Sequence, residues 1–210
     1  MASSLMQFFG FILALAGFIG LIVCTTMSEW KTSSHPGPSL LTAQTTQEGL
    51  WMSCVTYSTG QVNCKVFESL LEQSTDMQIT RALMVISILL SSLAVMSSMA
   101  GMECTTCMDD KQQLKVKVAF GGAVLFVTAG LCALVATSWY GNKIMVNFHN
   151  QHHESQHHSR YDFGKALFLG WAASSLSLLG GLILFCNSKA GNSGQYGQYA
   201  GPSQSSAKYI

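Results

Sequence analysis

Residues 118–142, VAFGGAVLFVTAGLCALVATSWYGN, run for 25 positions between Lys117 and Lys143 without one Asp, Glu, Lys or Arg. A helix needs about 20 apolar residues to cross a hydrocarbon layer of roughly 30 Å. Three further stretches share this character: residues 1–28, residues 82–102 between Arg81 and Glu103, and residues 166–188 between Lys165 and Lys189. Four such gaps predict four transmembrane helices, over about 5–27, 82–102, 118–142 and 166–188. The first gap lacks a positive leading region, and its apolar run is longer than a signal-peptide core. It is therefore expected to stay in place as a helix.

Composition agrees. Of 210 residues, 49% are hydrophobic and 10% are charged, with 11 Lys and Arg against 10 Asp and Glu. An ordinary soluble domain carries roughly 25% charged residues. This balance excludes a disordered chain, a coiled coil and a strongly basic nucleic-acid binder. Helix pairing in lipid rests on small residues, because hydrocarbon offers no hydrophobic drive between helices. Gly10, Ala14 and Gly17 supply them in the first helix. Gly121, Gly122, Ala129 and Gly130 supply them in the third, and Gly170, Ala173, Ser174, Gly180 and Gly181 in the fourth.

The domain organisation is a membrane domain over 1–188 with outer segments 28–80 and 143–165, followed by a tail over 189–210. Lysine and arginine counts on the two sides do not orient the chain, so the cysteines decide. Segments 49–56 and 61–66 read as two short strands around the turn Ser58-Thr59-Gly60, with Gly60 free to take positive φ. That hairpin brings Cys54 and Cys64 within bridging reach. The alternative is a pair of free buried thiols. A bridge here contributes about 3 kcal/mol by restricting the unfolded chain. It requires an oxidising compartment, which makes residues 28–80 extracytoplasmic and both termini cytoplasmic.

Cys104, Cys107 and Cys186 are then juxtamembrane on the cytoplasmic side. They are candidates for S-palmitoylation, with inert thiols or a redox or metal pair at Cys104-x-x-Cys107 as the other readings. Cys24 and Cys132 lie inside helices as packing residues. The Gly/Ser/Gln-rich tail is expected to be disordered. Its end, Tyr209-Ile210 with a free carboxylate, has the chemistry that a PDZ domain captures by strand addition.

The long segment carries Trp30, Gly49-Leu50-Trp51, Cys54 and Cys64, with Arg81 where the chain re-enters the membrane. With Trp139-Tyr140-Gly141-Asn142, Arg160-Tyr161-Asp162-Phe163-Gly164 and the terminal Tyr209-Ile210, this resembles the claudin signature over roughly residues 5–188. The resemblance implies a left-handed four-helix transmembrane bundle with a small extracellular antiparallel β-sheet. It implies a structural adhesion protein of the tight junction at the plasma membrane, not an enzyme. Such proteins polymerise with claudins in the same and the opposing membrane and form a paracellular barrier or pore. A related myelin-type tetraspan without strands is the competing reading.

By the same resemblance, Leu70 is a lateral knob and Phe148 and His149 form its pocket. Phe148 and Tyr161 make trans contacts, and Tyr57 and Lys65 set charge preference. Tyr209 and Ile210 bind PDZ scaffolds of the zonula occludens. Residues 28–80 hold Glu29, Glu48, Glu68, Glu72 and Asp76 against Lys31 and Lys65, a net charge of −3. Screening within about 8 Å makes only path-lining charges count, so Lys65 predicts a barrier or a weakly anion-preferring pore. Membrane lipids and protein partners are expected; no nucleic acid, cofactor, metal site or catalytic residue is assigned. Five of the six histidines fall between Phe148 and His158. A solvated loop tip, a Zn²⁺ site and a pH-sensitive loop all stand open for them.

Overall fold

The computed structural model describes residues 2–35, 44–67, 74–101, 112–154 and 160–198. Among these residues four helices are present: α1 (Ala2–Thr26), α2 (Thr75–Gly101), α3 (Gln112–Glu154) and α4 (Lys165–Gln198). Each contains a stretch long and apolar enough to cross a membrane: Leu5–Thr26, Thr75–Gly101, Leu114–His149 and Lys165–Ser188. The described residues also form five strands: β1 (Lys31–His35), β2 (Gln44–Glu48), β3 (Met52–Tyr57), β4 (Val62–Val66) and β5 (Arg160–Phe163).

The bundle is built inside out relative to a soluble protein. Large side chains such as Phe9, Leu89, Leu93, Leu131 and Leu182 face outward. Small ones fill the contacts between helices. A Cβ on Gly17 would sit 2.6 Å from the Ser177 nitrogen and 2.8 Å from the Ala173 carbonyl oxygen. One on Gly180 would sit 2.5 Å from the Ala14 nitrogen and 2.6 Å from the Gly10 oxygen. Backbone against backbone at this distance admits only glycine, so α1 and α4 are locked by the small residues expected to pair them. Between α2 and α3, Ser87 donates to the Ala129 carbonyl at 2.8 Å, and Gly122 lies against Ser97 and Ser98. Gly121 is different. A Cβ there meets nothing within 4 Å, so it plays no part in helix contact.

Two helices outrun their expected ends. α3 was expected over 118–142 with 143–165 as a loop, but it continues to Glu154. No Gly or Pro occurs between Lys143 and Glu154, and adding residues to an existing helix is easy compared with starting one. α4 runs to Gln198, about ten residues past its expected end and into the segment expected to be disordered. The first proline after it is Pro202. Residues 199–210, with Tyr209 and Ile210, lie outside the described residues.

The sheet is antiparallel throughout, in the order β4-β3-β2-β1-β5. β5 belongs to the connection between α3 and α4. It pairs with β1 from Lys31↔Phe163 to Ser34↔Arg160, so the two connecting segments form one sheet. Arg160–Phe163 thus forms a strand before α4 begins. The sheet sits over the ends of the helices, where Trp30 and Leu50 join a core cluster with Leu21, Met84, Tyr140 and Leu167.

The glycine geometry yields a paired test. Gly180→Leu should destabilise the detergent-solubilised protein by at least about 1–3 kcal/mol, the usual range for overpacking. Gly121→Leu should leave the thermal midpoint unchanged. Equal midpoints for the two variants would contradict the α1–α4 contact.

Candidate functional site

The sheet is held to the bundle by a short set of polar and aromatic contacts. α1 ends at Thr26, and its last carbonyls have no partner within the helix. The indole N–H of fully buried Trp30 donates to one of them, Cys24 O, at 2.9 Å. The Trp30 ring meets Tyr140 of α3 edge to face, with centroids 5.5 Å apart. Its backbone N–H donates to Glu48 O, and its carbonyl accepts from Gly164 N–H. One residue therefore ties α1, α3, β2 and the start of α4 together. The adjoining Glu29 carbonyl accepts from Ala166 N–H at 3.1 Å. A side chain at Gly164 would overlap that carbonyl.

Gly49-Leu50-Trp51 forms the second anchor. A Cβ on Gly49 would lie 2.5 Å from Ser28 Cα, so the β2–β3 turn presses directly on the chain leaving α1. Leu50 is fully buried, and its carbonyl accepts from Arg81 Nε–H. The Arg81 guanidinium lies over the rings of Trp51 and Phe67, at 5.5 and 5.4 Å from their centroids. Arg81 is 6% exposed, and its two terminal nitrogens find no hydrogen-bond acceptor among the described residues. Two aromatic faces solvate this cation instead.

The outer hairpin is closed by a disulfide between Cys54 and Cys64, which stand directly opposite each other in the β3–β4 ladder. Gly60 takes φ of 82° in the turn, as expected. Side chains alternate faces along a strand, and the register pairs Ser53 with Lys65 and Gln44 with Tyr57. Tyr57 and Lys65 therefore share one face, opposite to the disulfide. Both are exposed.

Three ion pairs between described residues involve residues 28–80, two of them with cations from outside that segment. Glu48 pairs with Lys31 at 3.4 Å, Glu29 with Lys165 at 3.5 Å and Asp76 with Lys143 at 3.2 Å. Glu68 and Glu72 lie outside the described residues. Asp76 also accepts from Trp139 Nε1–H at 3.2 Å, and the Lys143 ammonium stands 5.7 Å from the Trp139 ring centroid. This clamp between α2 and α3 was missed in the sequence reading. An acidic residue in the first turn of α2 was its one visible signal.

The remaining candidates are scattered. Phe148 and His149 lie on an exposed stretch near the end of α3. Tyr161 is in β5, opposite Ser33. Leu70, Cys104 and Cys107 lie outside the described residues. Cys186 is an exposed thiol near the end of the apolar part of α4, and Cys24 and Cys132 are also unbridged. The Cys24 thiol donates to Ala166 O at 3.1 Å, as a packing residue would. Among the described side chains, no three His, Cys, Asp or Glu gather as a metal site.

Stacking between two rings requires the flat guanidinium, which an ammonium does not replace. Arg81→Lys should therefore lower stability by about 2 kcal/mol, the scale of a desolvated cation–π contact. A thermal midpoint equal to the parent's would show that Arg81 acts through charge alone.

The comparisons with known proteins bear on this architecture. The PMP-22/EMP/MP20/Claudin family matches residues 4–184. Claudin-1 of Rattus norvegicus is 50% identical over 187 residues, covering 89% of this chain and 88% of the relative. Claudin-7 of Homo sapiens is 46% identical over 196 residues, covering 91% and 92%. Claudin-19 of Mus musculus is 45% identical over 186 residues, covering 89% and 82%. With Trp30, the Gly49-Leu50-Trp51 turn, the Cys54–Cys64 bridge and Arg81 joined in one anchor, this chain belongs to the PMP-22/EMP/MP20/Claudin family, among its claudins.

Proposed function

We propose that this protein is a structural adhesion protein of the tight junction. It polymerises into strands that seal the paracellular space or pass anions weakly in preference to cations. The Cys54–Cys64 bridge carries the orientation: a disulfide persists in an oxidising compartment. The sheet accordingly faces outward, and four spans return both termini to the cytoplasm. The likeness to claudins favours this reading over a myelin-type tetraspan without strands. The role is architectural and requires no catalytic group.

The partners are claudins in the same membrane and the next. Lateral assembly inserts Leu70 of one copy beside Phe148 and His149 of its neighbour, while Phe148 and Tyr161 meet the opposing cell. Phe148 is 43% exposed, which leaves its side chain accessible to a neighbouring molecule. On the cytoplasmic side, Tyr209 and Ile210 engage PDZ scaffolds of the zonula occludens. Cys104, Cys107 and Cys186 carry palmitoyl groups that hold the helix ends against membrane lipids.

Charge preference follows from the charges that the sheet exposes. Glu29 and Asp76 pair with Lys165 and Lys143, two cations outside residues 28–80, so the net −3 overstates the negative field. Lys65 and Tyr57 share an exposed face. A unit charge about 4 Å from an ion is worth about 1 kcal/mol in water and about 4 kcal/mol at an effective dielectric of 20. Reversing Lys65 should therefore move selectivity several-fold.

The test is expression in cells that lack junction strands. Freeze-fracture should reveal strands and transepithelial resistance should rise. Lys65→Asp should raise the sodium-to-chloride permeability ratio in dilution-potential measurements. A ratio unchanged by this substitution would remove Lys65 from the conduction path, and absence of strands would refute the junctional role.

A further inference from the structure

We propose that Asp76 is a positioning residue for contact between cells: through Trp139 and Lys143 it sets the direction in which the outer segment of α3 leaves the bundle. Asp76 lies in the first turn of α2, where the free amide groups of the helix start favour an anion. Its two oxygens are used separately. Oδ1 accepts from Trp139 Nε1–H at 3.2 Å, and Oδ2 pairs with Lys143 Nζ at 3.2 Å. The Lys143 ammonium in turn stands 5.7 Å from the Trp139 ring centroid, so the three side chains close a triangle. The hydrogen bond from Ser87 to Ala129 O also joins these helices, but it lies about 15 Å deeper along α3 at 1.5 Å per residue.

Braces from three sides meet on this turn of α3. Trp139 and Lys143, which meet Asp76 of α2, lie about 40° apart around the helix axis. Tyr140 and Ile144 stand about 100° further on, buried in the core cluster that holds Trp30. Gly141 lies about 200° round from Trp139, against Trp171 and Leu167 of α4. Asp76 therefore braces α3 on the side away from α4. Beyond Ile144 the helix continues with Met145–His149 exposed, so any tilt allowed at the braced turn is carried along the projecting segment. Asp76 and Lys143 are 35% and 42% exposed, and an ion pair in contact with water adds little to global stability. Its effect falls on the direction of the helix more than on whether the chain folds. The inference rests on the reading that Phe148 meets the opposing cell.

The test measures the direction of α3 on the full-length detergent-solubilised protein. Spin labels enter as a noncanonical amino acid at Leu93 of α2 and Met145 of α3, both exposed, so the native cysteines stay in place. The parent should give one narrow distance distribution. Asp76→Ala should broaden or shift it. Lys143→Gln should do so in part, because Trp139 keeps its bond to Asp76, and it carries the comparison if Asp76→Ala fails to fold. Asp76→Glu, which keeps the carboxylate, should restore the parent distribution. In cells that lack junction strands, Asp76→Ala should reach the surface yet lose its enrichment at contacts between expressing cells, and Asp76→Glu should keep it. Distributions for Asp76→Ala and Lys143→Gln equal to the parent's overturn the proposal. So does a lowered thermal midpoint with no change in distance, which marks a role in stability alone. A broadened distribution with contact enrichment intact overturns the link to cell contact. If the parent itself fails to gather at contacts, the junctional reading falls, while the distance measurement still decides whether Asp76 positions α3.

Discussion

A single hydrogen bond, from the indole of Trp30 to the carbonyl of Cys24, sets the relation between the sheet and the membrane helices. A helix end buried under a sheet leaves carbonyl groups that neither water nor the helix satisfies. Trp30 fills that need with its one donor and covers the helix end with its ring. Tyr140 fixes the ring from the side. The backbone of the same residue carries the sheet onward, to Glu48 on one side and Gly164 on the other. Removing so large a buried ring usually costs about 3–5 kcal/mol. Here the loss would fall on several elements at once.

The two halves of the molecule follow opposite rules of packing. In lipid, apolar side chains gain nothing by turning inward, so they face out and Gly17, Gly180 and Ser87 make the helix contacts. Above the helices, water restores the ordinary rule, and Trp30 and Leu50 are buried. Arg81 stands at the boundary. Buried out of water its charge would be expensive if unaided, and Trp51, Phe67 and the Leu50 carbonyl share it. The Gly-Leu-Trp sequence is thus a turn, a plug and a lid on a cation in successive residues.

Much of this was legible in the residues. Charge-free gaps announced four spans, because lipid penalises charge more severely than any local propensity does. The β3–β4 hairpin was legible from its cysteines and Gly60. Other parts were not. β1 and β2, KTSSH and QTTQE, are polar on both faces and show no alternation. Their pairing is fixed by the covalent path and by Trp30 rather than by hydrophobic pattern. β5 is four residues long and exists only because β1 offers an edge. The length of α3 was hidden because hydropathy marks where lipid ends, not where a helix does. The ion pairs of Glu29 and Asp76 reach Lys165 and Lys143, so a charge sum over residues 28–80 could not include their partners.

The role of Trp30 as the common tie is most directly tested by hydrogen exchange on the purified Trp30→Ala variant. Local opening exposes the amides of whatever a contact was holding. The amides of Lys31–His35, Gln44–Glu48 and Arg160–Phe163 should lose protection together, along with Ala166 and Leu167 at the start of α4. Those in the membrane spans should stay protected, and the bridged β3–β4 hairpin should change least. Parent-like protection of β1 and β5 in that variant would contradict the account.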